Sequence, residues 1–169
     1  MKQLFEGLSD DAHLWIHAAD RDLTDAEATE LGHALHAFKQ DWTSHGRPVE
    51  SQWQLVGNRV LLISAEVPQA DLSGCGIDKS LHAIEAFAAD SGFSWVDGLT
   101  IVYRDSAGRV RTTDRATFRA LGRSGEVTGE TLVIDVSIRR LDTVRSVGLE
   151  QKAARTWHAK LIDGPGVTA

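Results

Sequence analysis

A chain of 169 residues with 42% hydrophobic and 25% charged side chains can bury one core of ordinary size and is too apolar to be disordered. Its net charge of −6 argues against a general nucleic-acid binder, because affinity for a phosphate backbone rests on lysine and arginine. One cysteine closes no internal disulfide, no apolar run approaches the roughly 20 residues of a membrane helix, and Met1 to Asp10 is too short and polar for a signal peptide. The expectation is a soluble cytoplasmic protein with neither a nucleic-acid nor a membrane partner.

Residues 12–18 alternate, with Ala12, Leu14, Ile16 and Ala18 on one side and His13, Trp15 and His17 on the other, the period of a strand. Thr24-Asp25-Ala26-Glu27 fits a capping box, in which hydroxyl and carboxylate close the first helical turn. Leu31, Leu35, Phe38 and Trp42 follow at helical spacing, and Gly46 and Pro48 end the element. Gln52 to Val56 and Arg59 to Ala65 read as two strands joined by the hairpin signal Gly57-Asn58. A loop from Glu66 to Gly76 leads into a second helix carrying Ile77, Leu81, Ile84 and Ala88 on one face and stopping near Gly92. Leu99 to Tyr103 reads as a fourth strand, turned at Asp105-Ser106-Ala107-Gly108.

This order predicts an α+β chain with a ferredoxin-like β-α-β-β-α-β core over residues 12–105, an antiparallel sheet with two helices on one face. Residues 106–169 predict a C-terminal extension: a short helix at 114–121, a strand at 131–138, and a last helix near 149–161 burying Leu149, Ala153, Trp157 and Leu161. Apolar side chains stand on both faces of the first and fourth strands. The second sheet face therefore needs cover, from the extension or from a second subunit. The whole reads as a single domain, 1–169.

Chemistry is expected where loops meet. In the predicted connectivity, the loop after helix one, the loop before helix two and the end of strand four emerge at the same end of the sheet. They carry Trp42-Thr43-Ser44-His45-Gly46, Ser73-Gly74-Cys75-Gly76-Ile77-Asp78-Lys79-Ser80 and Tyr103-Arg104-Asp105. Cys75, between two glycines at a helix start, is sterically open, and a helix N-terminus favours thiolate over thiol. His45 and Lys79 are candidate cations beside it, and His45 a candidate general base. Asp78 works against thiolate formation. The opposing reading makes Cys75 a small buried residue in a tight loop. Cys75 and His45 are thus the candidate catalytic residues. Gly74, Gly76, Asp78, Lys79, Ser80, Trp42, Tyr103, Arg104 and Asp105 are the candidate ligand contacts, and an anion on the Gly74–Gly76 N–H groups with Lys79 fits this set.

Sharper thiol chemistries fail on spacing. A cysteine phosphatase needs arginine six residues after the nucleophile, where Leu81 stands. Thioredoxin-type exchange needs Cys-x-x-Cys, and residue 78 is Asp. A P-loop ends Gly-Lys-Ser/Thr, whereas Lys79-Ser80 follow Asp78, whose charge opposes a phosphate cradle. His33 and His36 share a helix face but lack a third ligand, so they read as solvated and no metal site is assigned. Arg104, Arg109, Arg111, Arg115, Arg119 and Arg123 crowd into twenty residues. Without interleaved aromatic side chains they read as a solvated, acid-balanced face.

The three runs, in this order, resemble those of a family of small uncharacterised bacterial proteins, some of which carry the label ABC transporter ATPase. The resemblance spans most of the chain and is strongest across 12–105. The label implies nucleotide hydrolysis, and this sequence departs from it: it has no P-loop, no Walker B strand and no ABC-type length, so it is not read as a P-loop ATPase. The resemblance implies no established activity or assigned catalytic residue. It adds that the three runs recur together.

Two functions are expected from this. The first is a non-enzymatic module holding a small ligand or protein partner at the loop cluster around His45, Cys75 and Arg104, with a second copy of the chain among the candidate partners. The alternative is a thiol-dependent enzyme or redox sensor with Cys75 as nucleophile and His45, Lys79 and Arg104 in support. No cofactor is implied.

Overall fold

The computed structural model describes residues 3–162. Its described residues form two compact units, one of residues 3–96 and 138–146, the other of residues 97–137 and 147–162. Helices and antiparallel sheets are mixed in both, an α+β architecture. Among the described residues no helix is long and apolar enough to cross a membrane.

The first unit contains β1 (His13–Ala18), α1 (Asp25–Asp41), β2 (Thr43–Ser44), β3 (Arg47–Pro48), β4 (Glu50–Val56), β5 (Val60–Glu66) and α2 (Gly74–Ser91). Its main sheet has the order β1-β5-β4, all antiparallel, with Trp15 opposite Ile63 and Trp53 also opposite Ile63 on the other side. α1 starts as its sequence prescribes. The Thr24 hydroxyl accepts from the Glu27 N–H at 3.1 Å and the Glu27 carboxylate accepts from the Thr24 N–H at 2.9 Å. Gly57 and Asn58 both have positive φ, 58° and 50°, which a two-residue hairpin between β4 and β5 requires. Leu31 and Leu35 of α1, Ile84 and Ala88 of α2, and Leu61, Ile63 and Ala65 of β5 share one buried cluster, so both helices lie on the same sheet face. The opposite face, with Leu14, Ile16, Val60 and Leu62, is also buried.

The outer edge of β1 is met by two separate pieces of chain. Near its end, Asp20 N donates to Ser94 O at 2.9 Å and Val96 N to Ala18 O at 2.8 Å. Near its start, Leu14 N donates to Arg139 O at 2.9 Å and Leu141 N to Ala12 O at 3.1 Å. Both pieces run antiparallel to β1. The second piece continues into α4 (Leu141–Val147), whose Arg145 guanidinium donates to the carbonyls of Leu4, Phe5 and Leu8 and to the Asp10 carboxylate.

The second unit holds β6 (Ile101–Arg104), β7 (Val110–Thr113), α3 (Arg115–Ser124), β8 (Leu132–Ile134), β9 (Glu150–Lys152), a 3₁₀ turn (Ala153–Arg155) and α5 (Ala159–Ile162). Its sheet order is β7-β6-β8-β9. Ile101, Phe118, Val127, Val133, Ala153 and Leu161 form its core.

Three sequence expectations need correction. The segment read as the fourth strand of the first sheet is β6, which pairs with β7 and β8 in the second sheet. The boundary drawn at residue 105 falls in the β6–β7 turn, so that hairpin belongs wholly to the second unit. The helix expected near 149–161 is instead β9, a 3₁₀ turn and the four-residue α5. Gly148, with φ 86°, breaks the chain after α4, and β9 is captured by β8. Ala153 and Leu161 are buried as the four-residue spacing implies, but they reach the core from different elements.

Candidate functional site

Trp42 is the C-cap of α1, with its own N–H donating back to Lys39 O. The chain then makes the smallest of hairpins: Thr43 pairs with Pro48 and Ser44 with Arg47, leaving His45 and Gly46 as the two turn residues. Their φ values, 49° and 74°, are both positive, which such a two-residue turn demands and which glycine adopts freely. Val49 N closes the hairpin onto Trp42 O at 3.0 Å. This geometry lifts His45 to the exposed tip and turns Trp42 and Ser44 inward, where both are buried.

α2 begins three residues earlier than its apolar spacing suggests. Ser73 is its N-cap: the hydroxyl accepts from Gly76 N at 3.1 Å and the carbonyl from Ile77 N at 3.0 Å. Gly74, Cys75 and Gly76 therefore form the first helical turn and not a loop. Cys75 is exposed, so the expectation of a small buried residue does not hold. Asp78 and Lys79 are exposed as well. Ser80 is buried and its hydroxyl donates to Ile77 O at 2.7 Å. The buried face of α2 runs through Ser80, Ile84 and Ala88, and Leu81 points to solvent.

The two runs are tied directly to each other. The Trp42 indole Nε1 donates to Gly76 O at 2.8 Å. Ser44 Oγ accepts from Ser73 N at 2.8 Å and donates to Ser73 Oγ at 2.9 Å. Gly76 is closely packed, since a Cβ there would lie 3.2 Å from Leu72 Cδ1 and 3.3 Å from Ser44 Cβ and its neighbours would have to give way. Trp42 and Gly76, read as ligand contacts, thus serve the frame. Ser44 and Ser73 complete it, and sequence reasoning passed over both. A signal existed for Ser73 alone, which stands three residues before an N–H in need of a cap; nothing local marks its pairing with Ser44. Because Gly76 N–H is already engaged by Ser73, only the N–H groups of Gly74 and Cys75 are left in the first turn to meet a ligand.

Tyr103, Arg104 and Asp105 lie in the second unit and are engaged there. The Tyr103 ring meets Phe118 edge-on at 5.5 Å, and burial together with the Asp105 charge raises its hydroxyl pKa. Arg104 donates to the Glu150 carboxylate and, at 2.7 Å, to Gly108 O. Asp105 accepts from the N–H groups of Arg109 (2.9 Å) and Ala107 (3.0 Å) and from the guanidinium groups of Arg109 and Arg111. The Arg109 backbone N–H leads these effects in holding its pKa down to about 2. Arg104 and Asp105 thus hold the β6–β7 turn, and Tyr103 packs against the core of the second unit.

The arginine-rich stretch divides in two. Arg104, Arg109 and Arg111 are acid-balanced, as expected. Arg115, Arg119 and Arg123 on α3 have no carboxylate partner among the described residues. His33 is exposed and 3.9 Å from an equally exposed Glu30. Among the described residues no group of three or more His, Cys, Asp or Glu side chains is placed to hold a metal ion.

No family model, curated protein or solved structure matches this chain.

Proposed function

We propose that this chain is a non-enzymatic cytoplasmic binding module that recognises a small ligand or a protein partner on the loop pair carrying His45 and Cys75. The observation that carries this reading is the double tie between the loops, Trp42 to Gly76 and Ser44 to Ser73, beneath exposed His45, Cys75, Asp78 and Lys79. A surface held rigid from below and open above binds without first ordering its own side-chain supports. Nucleophilic catalysis needs more, namely a base in hydrogen-bond reach of the thiol and a third group orienting that base. Among the described residues no hydrogen bond joins Cys75 to His45.

The competing reading, a thiol-dependent enzyme or redox sensor, draws on the exposure of Cys75. The two separate in one experiment. Cys75 is alkylated with iodoacetamide at pH 7 in the native and the urea-unfolded chain, and the ¹⁵N-labelled protein is titrated with a panel of small anions. The binding module gives comparable alkylation rates in both states, with shift changes confined to 42–46 and 73–80. A native rate more than tenfold faster would transfer the case to the enzyme.

The first unit further reads as a ferredoxin-like plan with an interrupted fourth strand. Support comes from the strand order β1-β5-β4, from two helices on one face, and from antiparallel backbone bonds at both ends of the outer edge of β1. The chain between those two pieces, 97–137, is part of the second unit. On this reading the bacterial family resemblance reflects a shared loop frame, and no nucleotide chemistry need accompany it.

A further inference from the structure

Arg115, Arg119 and Arg123 stand four residues apart on α3, a spacing that lines them up as one stripe rising about 6 Å per step. All three are exposed. The nearest acid in sequence, Asp114, is committed as N-cap, accepting from Thr117 N at 2.7 Å and Thr117 Oγ1 at 2.9 Å. Arg115 lies 5.2 Å over the Trp157 ring, and Arg119 and Arg123 have no ion-pair partner among the described residues.

A helix shaped for stability alone puts acids in its first turn and cations in its last. α1 follows that rule, with Asp25 and Glu27 at its start and Lys39 at its end. α3 follows it only at its ends, with Asp114 as N-cap and Arg123 in its last turn: its first turn has no acid and opens on Arg115, and like charges four residues apart repel. The imbalance is local. The first unit carries many more Asp and Glu than Lys and Arg, the second slightly fewer.

We propose that this stripe is a docking site for an acidic peptide segment of a partner protein. Guanidinium forks match carboxylates two-pronged. An extended peptide places alternate side chains about 6.7 Å apart on one side, close to the step of the stripe. Ala116 and Ala120, both exposed, flank the arginines on the side turned from buried Phe118, so a partner backbone can approach without obstruction. A nucleic acid suits the surface less well. The stripe offers three cations and no free aromatic platform, because Trp157 is stacked on His158 at 3.9 Å and covered by Arg115.

The test is fluorescence anisotropy of the full chain with a labelled peptide of alternating Glu and Ala, with the Gln-for-Glu peptide and a single-stranded oligonucleotide of equal charge as comparisons. The acidic peptide binds, and raising salt from 50 to 300 mM weakens it about tenfold or more. Combined Arg115→Gln, Arg119→Gln and Arg123→Gln weakens it by a similar factor, while Arg109→Gln, whose parent is held by Asp105, does not. Ala120→Glu, which adds a carboxylate and removes no arginine, weakens it at least fivefold and serves should the triple variant fail to fold. Absence of binding at low salt, indifference to Ala120→Glu, or tighter binding of the oligonucleotide would each overturn the proposal.

Discussion

The indole Nε1 of Trp42 donates to the carbonyl oxygen of Gly76 at 2.8 Å, joining the end of α1 to the first turn of α2 across 34 positions of sequence. Trp42 is buried and packs on Phe38 with ring centroids 5.0 Å apart, so the bond is shielded from water. Removing the donor while keeping an aromatic ring leaves a carbonyl unsatisfied in a dry place. Trp42→Phe is expected to lower stability by about 1–3 kcal/mol in urea unfolding followed by circular dichroism. Ser44→Ala removes the second tie and is expected to cost about 1–2 kcal/mol, because Ser73 N loses its acceptor and the cap its partner. If the ties act as one frame, the double variant departs from additivity by more than about 0.5 kcal/mol. Simple addition would count against it.

The two glycines beside Cys75 are not equivalent. A Cβ at Gly74 would meet nothing within 4 Å, whereas one at Gly76 would press on Leu72 Cδ1, Ser44 Cβ and Ser73 Oγ at 3.2–3.3 Å. Gly74→Ala is therefore expected to be neutral or stabilising by up to about 1 kcal/mol, through helix propensity. Gly76→Ala is expected to destabilise by about 1–3 kcal/mol, since the crowding falls on the frame itself. Cys75→Ser, at an exposed position between them, should stay within about 0.5 kcal/mol of the parent. Thermal unfolding of the three variants orders them, and equal effects at 74 and 76 would refute the assignment of Gly76 to close packing.

Much of the first unit was legible because its signals are local. The Thr24–Glu27 box and the Gly57-Asn58 turn each depend on residues within three positions of one another, and both form as read. Where partners are distant the reading slipped. Nothing within Ile101–Arg104 tells whether it joins β1 or β8, because an apolar strand fits either edge, and the choice falls to a partner strand far downstream. The spacing of Leu149, Ala153, Trp157 and Leu161 satisfies a helix, yet strand pairing of Glu150–Lys152 with β8 overrides it. At the candidate site the encounter of the WTSHG and SGCGIDKS runs was anticipated from connectivity, whereas the serine pair that fixes it was not. A hydroxyl in a loop has too many local partners for its distant one to be read from sequence.

Two histidines, His17 partly buried and His158 fully buried, are expected to set the acid limit of stability. His17, in ring contact with Trp95, is held down to about 4 by burial and then by the Arg139 charge. His158, 1% exposed and bonded through Nδ1 to the Thr156 hydroxyl at 2.8 Å, is also held down to about 4. Burial is the main cause there, with Arg115 adding to it and Asp135 opposing. Both histidines stay neutral in the folded chain at pH values where the unfolded chain, with a pKa near 6.5, takes up protons. Their contribution is thus complete above about pH 6.5 and is lost as pH falls toward 4, by at most about 3 kcal/mol each. Glu27 and Asp105, held near 2 chiefly by the Arg21 side chain and the Arg109 N–H respectively, act later, as pH falls from the ordinary carboxylate range toward 2. The expected profile falls in two stages, the first between pH 6.5 and 4. His17→Phe and His158→Phe, measured by urea midpoint at half-unit pH steps, should each flatten the first stage and leave the second in place. A midpoint constant from pH 7 to 4.5 in the parent chain would show that neither ring is kept from its proton by the fold.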